Sequence, residues 1–552
     1  MKTHILTAAG LLALASGCGG QDGAGPPTTE FFDLLETPVG EVNFPNSCAG
    51  DAEPLVERGV ALLHHMMYDE AAFVFGMARD ADPDCALADW GEAMTLIHPL
   101  WPDIPSASVL ERGMNFVEHA KALSAPTDRE ALYIQTAAAY FEDGSALSEH
   151  ERLERFEASW KALADAYPED LEARAFYSLA LRALWTSEDR ELAIPQRAGA
   201  IAESVLAETP DHPGAHHYII HAYDFPELAE RAVDVAEHYG EITPRVPHAS
   251  HMMTHIYTRL GDWPKAVEWN RVSAESAWAL CVATGEISSH YTHALDYLAY
   301  AHLQLGQDEA VLEILRTSEA LQPPFTETNR DASAYAFAAL PARYVLERRD
   351  WKSAAELQPR APEAFPWEAS HDAYVANTHF ARAIGLAHLG RARDIETEIA
   401  ALAEISERLR SEKPYWAQQV AIQEIAARAL RAYAAGAREA ALDLMREAAH
   451  EESLTQKHAV TPGEILPAAE LYGDMLLEAE RFDDALAAYR MALARSPRRL
   501  NGLYGAGKAA LGAGDLEAAA AYFSELKDMA GAARDSRPAV DEALSRLAVL
   551  EN

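Results

Sequence analysis

Two pairs of histidines, His217 with His221 and His251 with His255, are four residues apart within each pair and 34 residues apart between pairs. Thr209-Pro210 and Pro213 precede the first pair as Thr243-Pro244 and Pro247 precede the second, so six positions repeat at one spacing. Ten of the 22 histidines fall between His212 and His293, where an even spread would put about three. A neutral imidazole nitrogen is a metal ligand, and residues three, four and seven apart share one face of a helix. On that rule His217, His221 and Asp224 form one set, and His248, His251 and His255 another. Five imidazoles and a carboxylate exceed the four ligands of a structural zinc site, and they fit one open site or two adjacent metals. Imidazole suits zinc, copper and iron alike, so ligand type does not choose among them. The competing chemistry is a groove lined with histidine for hydrogen bonding.

Other histidines rank lower. His290 and His293 are one turn apart with Glu286 a turn before them. The repeat frame ending at Ala310 turns them away from the concave face, and only an insertion before residue 290 would bring them back, so they are second-tier ligands. His64-His65-Met66-Met67 and His251-Met252-Met253 place thioethers beside imidazoles, a combination suited to Cu(I), but methionine at helical spacing is ordinarily core packing.

A period of 34 residues is the length of a tetratricopeptide (TPR) unit, a helical hairpin that stacks into a superhelix. Gly59, Ala71, Phe75, Ala78 and Pro83 carry its pattern of small, small, aromatic, small, proline. Gly473, Ala485, Tyr489, Ala492 and Pro497 repeat it, and Gly507, Ala519 and Phe523 follow 34 residues behind. Pro213 and Pro247 each open a helix at its first turn, where the missing N–H costs nothing. The expected fold is therefore an all-α TPR-type solenoid, with the histidine sets on neighbouring helices facing its groove. Two proline-rich breaks, 320–331 and 359–370, interrupt the array, and a soft boundary near residue 365 separates an N-terminal array (46–365) from a C-terminal one (366–552).

The net charge, 46 − 86 = −40, disfavours nucleic acid as a partner. Lys2, an apolar run from Ile5 to Ala15, and then Ala15-Ser16-Gly17-Cys18 make residues 1–17 a lipoprotein signal peptide. Cleavage before Cys18 leaves that cysteine lipidated, with residues 18–45 as tether, on a protein of the bacterial cell envelope facing the periplasm or exterior. Export implies an oxidising compartment, so Cys48 and Cys85, which flank the first repeat, are a disulfide candidate, and Cys281 is left over. No GxSxG elbow, Walker loop, GxGxxG turn, CxxC or HExxH occurs.

The chain also resembles a family of bacterial TPR lipoproteins with a His-rich central block. The likeness is carried by GVALLHHMMYDEAAFVFGMARDADPDCALADWGEAM (59–94), HPLW (98–101), HPGAHHYIIHAYDFPELA (212–229), HASHMMTHIYTRLGDW (248–263), LDYLAYAHLQLG (295–306) and HAVTPGEILPAAELYGDMLLE (458–478). Met253 stands where that family has proline, and His65 where it has a small residue. The resemblance implies a TPR superhelix and no particular activity. Together these readings describe a membrane-tethered scaffold for a protein or peptide partner, with a His-ligated metal in its central groove. The alternative is a metal-dependent enzyme, an oxidoreductase or hydrolase, that uses the same cluster.

Overall fold

A computed structural model describes residues 37–101, 104–123, 125, 127–534 and 537–551. The expected signal peptide, Cys18 and most of the expected tether lie outside the described residues. Within them the chain forms 25 α-helices and four short 3-10 turns, and the one β contact is an isolated bridge between Ile287 and Phe325. Consecutive helices pack as pairs, and alternate helices touch to form an inner layer. Through the middle of the chain that layer is Pro213–Tyr223, Pro247–Leu260, Ser289–Gln304 and Arg330–Glu347. This is an all-α TPR-type solenoid.

The repeat pattern works as its residue types require. A Cβ at Gly59 would lie 2.6 Å from the Phe75 ring, and one at Gly91 would lie 2.3 Å from it. Phe75 therefore fills the groove between helices Ala52–His64 and Ala86–Met94, which only glycine lets approach so closely. Tyr489 does the same between Gly473 and Gly505, where added Cβ atoms would meet it at 2.9 and 2.2 Å. The Tyr68–Ala81 helix stops just before Pro83, and Phe482–Arg495 just before Pro497. Cys48 and Cys85 are joined by a disulfide, and Cys281 is buried.

Phe365, at the expected soft boundary, is buried. The buried apolar residues fall into two clusters that meet along helices Trp263–Thr284 and Ser289–Gln304, and Leu340, Phe365 and Tyr374 share one of them. The C-terminal repeats also fold back on the central ones. Arg499, fully buried, pairs with Glu347 at 2.7 Å and Glu470 at 2.8 Å and donates to the Tyr300 hydroxyl. Arg537 pairs with Asp308 at 2.5 Å, and the Trp263 indole N–H donates to the Arg498 carbonyl at 2.7 Å.

The concave face is covered by the chain itself. Residues 455–467, without helix, cross it: the Tyr297 hydroxyl lies 2.9 Å from the carbonyls of both Ala459 and Thr461, and Arg343 donates to Thr461 Oγ1 and the Gly463 carbonyl. From the other end, Glu41 N–H donates to the Asp211 carbonyl at 2.8 Å, and His65 Nε2 lies 3.0 Å from the Val39 carbonyl. The histidines expected to face an open groove are therefore interior residues.

Candidate metal centre

Three consecutive inner helices present the cluster. Pro213 and Pro247 each occupy the first turn of their helix, as N1-type prolines do. His217 and His221 follow on the first helix, and His248, His251 and His255 on the second. The third, Ser289–Gln304, supplies His290, His293 and Tyr297. These three stand 42 residues after His248, His251 and His255, so the frame continues, lengthened by eight. The reason is the intervening helix Trp263–Thr284, whose 22 residues exceed by eight the 14 of Tyr68–Ala81 and Phe482–Arg495. The reading that turned His290 and His293 away from the site is thus corrected: His293 lies 4.3 Å from His251 and His290 5.2 Å from His248, ring centre to ring centre.

The imidazoles form two adjacent groups. His217, His221 and His248 offer nitrogens within 4.8 Å of one another, and so do His251, His255 and His293. The groups touch where His221 lies 5.7 Å from His255 and His248 lies 6.1 Å from His251, ring to ring. Burial holds all six imidazoles below their ordinary pKa; His217 is pushed down to about 3, with the His64 carbonyl opposing the shift. They are therefore neutral at physiological pH, the state in which imidazole binds a metal.

Proton positions follow from the partners. His255 Nδ1 lies 2.9 Å from Asp224 Oδ2, a carboxylate that can only accept, so its proton sits on Nδ1. His251 Nδ1 lies 2.9 Å from Asn270 Oδ1, whose own amide nitrogen donates to the Ala266 carbonyl, so His251 too is protonated on Nδ1. The Nε2 atoms of His251 and His255, both left with lone pairs, face each other at 3.1 Å. His217 Nδ1 donates to the His64 carbonyl at 2.6 Å, and the Nε2 atoms of His217, His221 and His248 are all buried without a hydrogen-bond partner.

Asp224 lies outside both groups. The helix ends at Tyr223, ahead of Pro226, so Asp224 leaves the face it would have shared with His217 and His221. Its carboxylate is engaged by His255, by Arg259 at 2.7 Å and by Lys457 at 2.7 Å, and it orients His255 from outside the cluster while anchoring the covering segment. Met66, Met67, Met252 and Met253 lie in the apolar core, and Met253 packs against Gly240 beside Trp269.

A third group, His64, Glu172 and His212, is not apparent from spacing because its members come from three distant helices. Its protons are already placed. His64 Nε2 donates to Glu172 at 2.6 Å while Tyr218 donates to His64 Nδ1 at 2.9 Å. His212 Nδ1 accepts from Ala215 N–H as a helix cap, so the proton is on Nε2, 3.2 Å from the same carboxylate. No imidazole lone pair remains there; the group is a network around Glu172, which His212 Nε2 approaches without a hydrogen bond.

A cavity of about 20 Å³ touches both histidine groups and is lined by Trp101, His221, His248, His255, His290 and Asn329 among others. Beyond the Tyr68–His98–Trp101 aromatic stack lies a much larger groove of about 970 Å³, between the first helices and residues 327–331, 368–371 and 411–413.

No family model matches the chain, and no curated protein matches it. Among solved structures it is similar to one described as the crystal structure of the yeast Tom70, at 12% identity and a TM-score of 0.32, over 91% of this chain and 95% of that chain. So low a TM-score and identity assign no function.

Proposed function

We propose that this chain is a metal-binding helical-repeat protein, lipid-anchored in the bacterial cell envelope through Cys18, whose ion is held by the central histidines. The observation that carries the metal is the 3.1 Å approach of two buried Nε2 lone pairs, His251 to His255. Two bare lone pairs repel, and a proton between them would create a buried imidazolium. A cation satisfies both. With metal–nitrogen bonds of about 2.0–2.1 Å, a 3.1 Å separation subtends an angle of about 100°, close to tetrahedral. His293 supplies a third nitrogen. Asp224 and Asn270 are the outer partners that fix ring orientation in metal sites.

The test is elemental analysis of tag-free protein, together with melting curves before and after chelator treatment. An ion bound only by the native state raises the melting temperature by mass action. A protein without zinc, copper or iron, and with one melting temperature in both conditions, overturns the reading. The Cys18 anchor is supported by the small residues before that cysteine and the Gly-rich tether behind it.

A second reading, a scaffold for a protein or peptide partner, is favoured by the 970 Å³ groove, because the histidine face is closed by residues 455–467. An enzyme is compatible with either reading, with the small cavity beside the histidines as its reacting site.

A further inference from the structure

We propose that the cluster holds two metal ions, one in each group of three histidines, and that both positions select monovalent copper. This rests on reading the cluster as a metal centre and adds the number of ions and their identity.

The count comes from the second group of ring nitrogens. His217, His221 and His248 bring three buried, unpartnered Nε2 atoms into one space, separate from the His251–His255–His293 set. A buried polar atom without a partner is costly, and no side chain outside the group bonds any of these three Nε2 atoms. One ion among His251, His255 and His293 leaves these three unsatisfied. A second ion removes the deficit.

The identity comes from charge. Neither group includes a carboxylate oxygen. Around them, Asp224 is paired with Arg259 and Lys457, Arg182 donates to the His221 carbonyl, and Arg343 is paired with Asp296. With the neighbouring Arg495–Glu464 pair, five cationic side chains thus accompany three carboxylates. Two divalent ions with neutral ligands would add four positive charges to a buried region already in positive excess, whereas two monovalent ions add two. The desolvation penalty grows steeply with ionic charge, so the lower charge is favoured. Copper is among the metals that imidazole suits, and Cu(I) is its monovalent form. The cavity of about 20 Å³ that touches both groups has room for about one water-sized ligand beside the ions.

The test titrates the chelator-stripped, tag-free full chain with Cu(I) under anaerobic conditions against a chromophoric Cu(I) chelator. X-ray absorption and a Zn(II) competition follow on the same protein. The expected result is two equivalents of Cu(I), a shell of about three nitrogens with no sulfur, and retention of both ions against a tenfold excess of Zn(II). The pair H217Q/H248Q and the pair H251Q/H293Q should each fall to one equivalent. One equivalent in the wild type, sulfur in the shell, or displacement by zinc overturns the proposal while leaving a metal centre standing. Binding of no copper, zinc or iron overturns both. The wild-type count and its absorption spectrum do not depend on how well the variants fold.

Discussion

Replacing Asp224 with asparagine keeps the side-chain shape and removes one charge from the point where the histidine helices, Arg259 and the covering segment meet. Arg259 and Lys457 are 5% and 3% exposed, so neither can turn to solvent without moving its segment. Burial already pushes the Lys457 ammonium down to about 8, with Asp224 holding it up. A depression from 10.5 to about 8 corresponds to roughly 3 kcal/mol, at about 1.4 kcal/mol per pH unit. Without Asp224, Lys457 sheds its proton near neutrality, which limits its further loss at pH 7 to about 1.4 kcal/mol. Arg259 cannot shed its proton, and an uncompensated buried charge costs about 3–5 kcal/mol, reduced here because Arg259 retains its bond to the Asp224 carbonyl. Asp224→Asn should therefore destabilise the chain by about 3–5 kcal/mol at pH 7. Lys457, neutral in the variant's native state and charged when unfolded, also makes stability rise with pH up to about 10.5. Urea unfolding followed by tryptophan fluorescence at pH 7 and pH 9 measures both. A loss below about 1 kcal/mol with no change in pH dependence would refute the description of this ion cluster as buried and closed.

Further outcomes follow from the same geometry. Asp224→Asn should also weaken metal binding by about 10–100-fold, read by chelator competition, because His255 loses its charged orienting partner. Acid should destabilise the chelator-treated chain: His217, depressed to about 3, stays neutral in the fold while the unfolded chain protonates below about 6.5. Stability is thus complete above pH 6.5 and falls by about 1.4 kcal/mol per pH unit for each such imidazole below it; equal melting temperatures at pH 7.5 and 5.5 would contradict this. Gly91→Ala should cost about 1–3 kcal/mol in urea unfolding, since its Cβ would meet Phe75 at 2.3 Å, and adding Phe75→Leu should return part of the loss. Cys18→Ser should move the protein from the membrane to the soluble fraction or leave it unprocessed on a blot; wild-type membrane retention would argue against the anchor.

The repeats were legible because their signals are local. Gly59, Phe75 and Pro83 meet within one hairpin and its neighbour, so their spacing carries the packing. The histidine frame was legible only while repeat length held. Eight extra residues in Trp263–Thr284 shift His290 and His293 out of a 34-residue register, yet the helix they lengthen delivers them to the same face. Asp224 was misplaced for the opposite reason: helical spacing was carried one residue past the end of a helix that Pro226 had already stopped. The covering of the groove by Lys457 to Gly463, and the network joining His64, Glu172 and His212, depend on contacts across 40 to more than 200 residues, which no periodicity encodes.

The central claim is that an ion occupies the space the histidines enclose, and anomalous diffraction from crystals of tag-free protein, recorded across the copper, zinc and iron edges, tests it most directly. The expected result is anomalous density bonded to the Nε2 atoms of His251 and His255, with His293 completing the set, and a second peak among His217, His221 and His248. Crystals grown with added metal that give no anomalous peak at any edge, and show hydrogen-bonded water between those rings, would contradict it.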